Sequence, residues 1–75
     1  MLELSPGITV DPDVRFGKPV IRGTRVPVDT IVARVASGMK IKNLADEYGI
    51  TSTDVYNALN YAAQRLAEEQ VWVTR

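Results

Sequence analysis

The sequence predicts a small, mostly α domain of the α+β class, with three helices preceded by a short β-hairpin. Three observations carry that prediction. Apolar residues recur at three- and four-residue spacing in three segments separated at Ser37-Gly38 and at Gly49. β-Branched residues flank Gly23-Thr24 on both sides, as in a hairpin. The chain has 75 residues, enough for one domain and no more. We divide it into a strand and hairpin over 8–28, a three-helix unit over 29–70 and a tail over 71–75.

In order along the chain, residues 1–7 are expected to fray, with a bend at Ser5-Pro6-Gly7. Ile8-Thr9-Val10 alternates and is short, which predicts an edge strand. Asp11-Pro12-Asp13 supplies turn chemistry after it. Val20-Ile21 and Val26-Pro27-Val28 then form the hairpin arms. A two-residue Gly23-Thr24 loop suits a type II′ turn, because glycine accepts positive φ without a Cβ clash. That register pairs Ile21 with Val26 on a buried face and Arg22 with Arg25 on the other. The two arginines either splay into solvent, meet acids such as Asp11 and Asp13, or receive an anion such as phosphate or an acidic partner.

The first helix begins near Asp29, which caps it or sits in its first turn. Its inner stripe is Ile31, Val32, Val35 and Ala36, and Gly38 ends it. The second runs from Ile41 to Tyr48 with Leu44, Ala45 and Tyr48 inward, and stops at Gly49. Thr51-Ser52-Thr53-Asp54 opens the third as a capping box with Asp in place of Glu. Its inner stripe is Val55, Leu59, Ala62, Ala63 and Leu66, and it continues to about Gln70. Glu68 and Glu69 oppose the helix dipole there, so that end should fray. Val71-Trp72-Val73 is apolar and β-prone.

Composition excludes several functions. There is no cysteine and no histidine, so thiolate or imidazole metal sites and a histidine base are absent. No Gly-rich phosphate loop occurs, and no pair of acids lies in an apolar setting. We therefore expect no catalytic residues, no metal, no cofactor and no enzyme. Nine basic and nine acidic residues balance to zero net charge, so any nucleic-acid surface must come from local clustering. No apolar run approaches the ~20 residues that span a bilayer, and no signal-peptide pattern opens the chain. The expectation is a cytoplasmic protein with no membrane contact. A core this small, without staples, points to a homodimer with the N-terminal strand and hairpin at or near the interface.

The segment from Ile41 to Asn60 has the spacing of a helix-turn-helix, homeodomain-like in its three-helix setting. Ala45 is small where the two helices must approach, and Gly49 opens the turn. Leu44, Tyr48, Ile50, Val55 and Ala58 lock the pair from inside, leaving an outer face for a major groove. That face consists of Ser52, Thr53, Tyr56, Asn57 and Asn60. Asn pairs bidentately with adenine, and Ser or Thr reaches bases or phosphates. Lys40 and Lys42 stand at the start of the second helix, where the dipole disfavours cations by ~0.3–1 kcal/mol. Phosphate contact would use both lysines and the free N–H groups. Two solubilising lysines and a plain solvated face are the bland alternatives.

The stretch GKPVIRGTRVPV, from Gly17 to Val28, followed by a short helix ending in Ser37-Gly38-Met39, resembles the prokaryotic family DUF433. The resemblance runs from about Ile8 to about Glu69. It implies an antitoxin of a toxin–antitoxin pair, which blocks a cognate PIN-like ribonuclease and represses its own promoter. The sequence departs from the family at Phe16, where a second glycine is common, and at Lys40 and Lys42, where Ser and Glu are common. The competing expectation is a protein-interaction module without DNA binding, using the hairpin and the C-terminal segment.

Overall fold

The computed structural model describes residues 1–69; residues 70–75, including Val71-Trp72-Val73, lie outside the described residues. Strands β1 (Leu2–Ser5), β2 (Ile8–Val10) and β3 (Val20–Ile21) form one antiparallel sheet in the order β1-β2-β3. Helices α1 (Val28–Ala36), α2 (Ile41–Tyr48) and α3 (Ser52–Glu68) follow. One core joins the two layers: Ile8 and Ile21 from the sheet meet Val28, Ile31, Leu44, Ala45, Val55 and Ala58 from the helices.

The N-terminal segment corrects two expectations. Residues 2–5 are strand, paired with β2 through Leu2↔Val10 and Glu3↔Thr9, and Pro6-Gly7 makes the tip of a hairpin. β2 is consequently the central strand, with Ile8 and Thr9 both buried, and β1 takes the edge. Leu2 and Leu4 remain exposed on it.

The second hairpin has the expected register but a different turn. The Ile21 N–H donates to the Val26 carbonyl at 2.9 Å, and Val20 bridges to Pro27. The turn itself spans residues 21–24, closed by the Thr24 N–H on the Ile21 carbonyl at 3.0 Å. Gly23 is thus the third turn residue, with φ +75°, which is type II chemistry and not type II′. The Thr24 hydroxyl donates to the Ile21 carbonyl and accepts from the Val26 N–H, which fastens the loop. Arg22 and Arg25 therefore occupy loop positions and do not face each other across a ladder. Arg22 meets Glu3 at 3.3 Å, not Asp11 or Asp13.

Between β2 and β3 the chain makes a left-handed turn at Arg15–Gly17 that the sequence reading did not anticipate. Arg15, Phe16 and Gly17 have φ of 51°, 57° and 81°. A left-handed backbone is strained for Phe, whose ring here is wholly exposed. Glycine at this position, common in the resembled family, has a direct physical reason. Phe16→Gly should raise stability by about 0.5–1 kcal/mol, net of glycine's own entropic cost. Chemical denaturation would measure it, and an unchanged midpoint would mean that Phe16 gains something from its exposed position.

The helices begin, and α1 and α2 end, where the sequence places them. Asp29 lies in the first turn of α1 and pairs with Lys18 at 3.2 Å; Pro27 is the N-cap residue. Gly49 closes α2 with φ +66°. Thr51 and Asp54 form the reciprocal capping box of α3, each side chain accepting the other's backbone N–H at 3.0 Å. The inner stripes are narrower than expected: Ala36, Ala63 and Leu66 are exposed, while Ala58 is fully buried. α3 ends at Glu68, two residues before the expected Gln70, which itself lies outside the described residues. An exposed ion pair of Arg34 with Glu47 links α1 to α2. The Glu47 hydrogen bond, followed by its charge, raises the Arg34 pKa above its ordinary value. Arg34 is cationic in any case, so no pH dependence follows.

Candidate nucleic-acid interface

The candidate face is built by α2, α3 and the three residues between them. Ile50 donates its N–H to the Ala45 carbonyl at 3.0 Å, which turns the chain sharply after Gly49. The capping box then starts α3. It engages the Asp54 carboxylate, which accepts the Thr51 N–H. Val55 and Ala58 pin the inner side of α3 in the core. The helical period leaves Ser52, Thr53, Tyr56 and Asn60 exposed on the outer side.

Asn57 departs from that face. It is half-buried, and its amide lies against the β1–β2 hairpin tip. A Cβ placed on Gly7 would stand 2.6 Å from the Asn57 Nδ2. The residue expected to read bases is a packing contact between α3 and the sheet. Periodicity counts positions around one helix, and it had no information on the hairpin that covers this one.

Lys40 is the N-cap residue of α2, with extended backbone and no side-chain capping bond, and the first turn holds no acid. The N–H groups of that turn are left without a side-chain acceptor. Lys40 and Lys42 are exposed and form no ion pair among the described residues. The same holds for Arg25 and Arg15, whereas Lys18, Arg22, Arg34 and Arg65 each pair with an acid. The eight residues of α2, about 12 Å of rise, separate Lys40 from the turn that leads to α3, and Lys42 lies in the first turn of that helix. The proposed cations thus sort into free ones, Lys40, Lys42 and Arg25, and an engaged one, Arg22.

Two further surfaces escaped the sequence reading. Phe16 projects from its left-handed turn, and its departure from the family's glycine was the available signal. An open apolar groove of about 470 Å³ lies between α1 and the second half of α3. Among the described residues, no group of three His, Cys, Asp or Glu is placed to hold a metal, and no helix is long and apolar enough to cross a membrane.

Architecture and surface together define a small α+β domain, three helices packed on a three-stranded antiparallel sheet. Residues 8–62 match the family model described as "Protein of unknown function (DUF433)", and the chain belongs to that family. A crystal structure of a DUF433 member from Anabaena variabilis ATCC 29413 is similar at a TM-score of 0.74 and 36% identity, covering 83% of this chain and 62% of that one. The crystal structure of Rv2018 from Mycobacterium tuberculosis is similar at 0.64 and 31% identity, over 69% of this chain and 24% of that one. The uncharacterized protein y4eO of Sinorhizobium fredii is 42% identical over 41 residues, 55% of this chain and 19% of its own length. The chain thus spans less than two thirds of each of these relatives.

Proposed function

We propose that α2 and α3 act as a homeodomain-like helix-turn-helix that binds DNA, and that the protein does so as a homodimer. The observation that carries this reading is two lysines, without an ion-pair partner among the described residues, at a helix start with no side-chain cap, near in sequence to a polar, outward α3 face. Lysines there lose dipole energy, and phosphate contact offsets that loss. Thr53, Tyr56 and Asn60 are the base-facing candidates, with Ser52 at the backbone. Asn57 supports α3 from behind. Lys40, Lys42 and Arg25 contact phosphates. The dimer uses the exposed edge of β1, where Leu2 and Leu4 are uncovered. The wider role follows from the family resemblance: an antitoxin that neutralises a PIN-like ribonuclease toxin and represses its own promoter.

A mobility shift on the DNA upstream of the protein's own gene tests the reading. Lys40→Ala with Lys42→Ala should weaken specific and random DNA alike, and lower the salt slope by about 0.9 per lost contact. Asn60→Ala should cost about 1–3 kcal/mol on the true site and little on random DNA. If neither set alters binding, the helices are a scaffold. The second reading, an interaction module without DNA binding, then takes over. Phe16, fully exposed on a strained turn, favours a protein partner on that side of the molecule.

A further inference from the structure

The groove between α1 and α3 is lined by Val28, Val32 and Ala33 on one side and by Tyr61, Ala62 and Leu66 on the other. Its wall is almost wholly apolar, and Leu66 on its lip is 68% exposed. Lys18 also borders it, and two residues before Lys18 stands Phe16, wholly exposed on its left-handed turn. The surface thus carries an uncovered apolar hollow and an uncovered apolar knob. We propose that the groove receives the Phe16 ring of a second copy of the chain, the two copies exchanging rings about a two-fold axis. This contact is separate from the pairing of β1 edges and does not depend on it.

Placement, size, charge and strain name a second copy as the occupant. Lys18 lines both the groove and the hollow beside Arg15 and Phe16, so knob and hole share a border. An isologous contact needs such a self-complementary patch, because one two-fold rotation then seats both rings at once. The groove holds about 470 Å³, and a dry cavity of roughly 150 Å³ already accepts a benzene molecule. The Phe16 ring therefore enters without displacing a wall, and Tyr61 offers it an offset or edge-to-face partner. Arg15, beside Phe16, has no ion-pair partner among the described residues. Asp29, on the groove wall, is an exposed carboxylate paired with Lys18. Arg15 of the second copy brings that carboxylate another cation as the ring goes in. Finally, Arg15 and Phe16 hold φ of 51° and 57°, and burial of the ring offsets the strain of presenting it.

Phe16 is the only phenylalanine in the sequence, which makes the test direct. In a mixture of ¹³C-labelled and unlabelled full-length chains, isotope-filtered spectra should show NOEs between the Phe16 ring of one copy and the Val32, Ala62 and Leu66 methyls of the other. Phe16→Gly relieves the strained turn and should fold. By light scattering it should have half the wild-type mass at a concentration where the wild type is fully associated. Ala33 lines the groove from an exposed position, so Ala33→Lys should also fold and halve the mass while leaving Phe16 in place. Ala67→Lys, exposed on α3 but outside the groove, should leave the mass unchanged. Leu2→Lys with Leu4→Lys removes the β1-edge pairing and should leave the Phe16 NOEs intact, so the two contacts fail separately. The proposal is overturned by a wild-type chain that stays monomeric at high concentration. It is equally overturned by a mass that Phe16→Gly and Ala33→Lys do not change, or by intermolecular NOEs that join Phe16 to residues outside the groove.

Discussion

Leu44→Ala should destabilise the domain by about 3–5 kcal/mol, the upper part of the range for a leucine deleted from a packed core. Leu44 is wholly buried, in one cluster with Ile8, Ile21, Ile31 and Val55. The cavity cannot collapse easily, because each wall belongs to a different element: β2, β3, α1 and α3. A 75-residue domain has roughly 4–11 kcal/mol of total stability. The variant should therefore lose about 12 °C or more in Tm, or fail to fold at 37 °C. Calorimetry or circular dichroism would read the shift. A change below about 1 kcal/mol would mean that α2 packs less tightly than described.

Gly7→Val is the second large effect, and it joins the sheet to the candidate interface. Gly7 has φ +78°, which a β-branched residue adopts only under strain. The new Cβ would also press on Asn57. Backbone strain and overpacking together should cost about 2–4 kcal/mol. The two parts separate in a double-mutant cycle. Asn57→Ala removes the side chain's outer atoms and should recover the packing part, about 1 kcal/mol or more, while the φ strain persists. Strictly additive free energies would show that the hairpin tip and α3 do not touch in solution.

The helices were legible because their signals are local. Gly38, Gly49 and the Thr51–Asp54 box fix ends within a few residues, and the structure places α2 and the start of α3 as read. The register of Ile21 on Val26 was legible for the same reason. What was not legible depended on distant partners. Leu2-Glu3-Leu4-Ser5 alternates, and Pro6-Gly7 is a turn signal, so β1 left a trace in the sequence. Both leucines face solvent, however, so alternation did not reveal an inner face. With β1 missed, β2 was placed at the edge, and nothing remained to cover Asn57. Arg22 likewise found Glu3, a partner on the strand that had been read as frayed. Of the candidate site, Ser52, Thr53, Tyr56 and Asn60 are exposed where the helical period puts them, and Lys40 and Lys42 are exposed at the start of α2. The Phe16 turn and the α1–α3 groove had to be seen in three dimensions.

The packing of α3 on β2 and β3 sets a delay during synthesis. Ile8 is made early and cannot be covered until Val55 and Ala58 leave the ribosome. The 47 positions from Ile8 to Val55 take roughly 2–9 s at ~5–20 residues per second. Through that interval the nascent chain offers two short hairpins, each too small to be stable alone, joined later by α1 and α2. Proteases and chaperones meet the protein first in this form. Its abundance in the cell should therefore depend on translation speed through the α2 and α3 codons as well as on the stability of the finished fold.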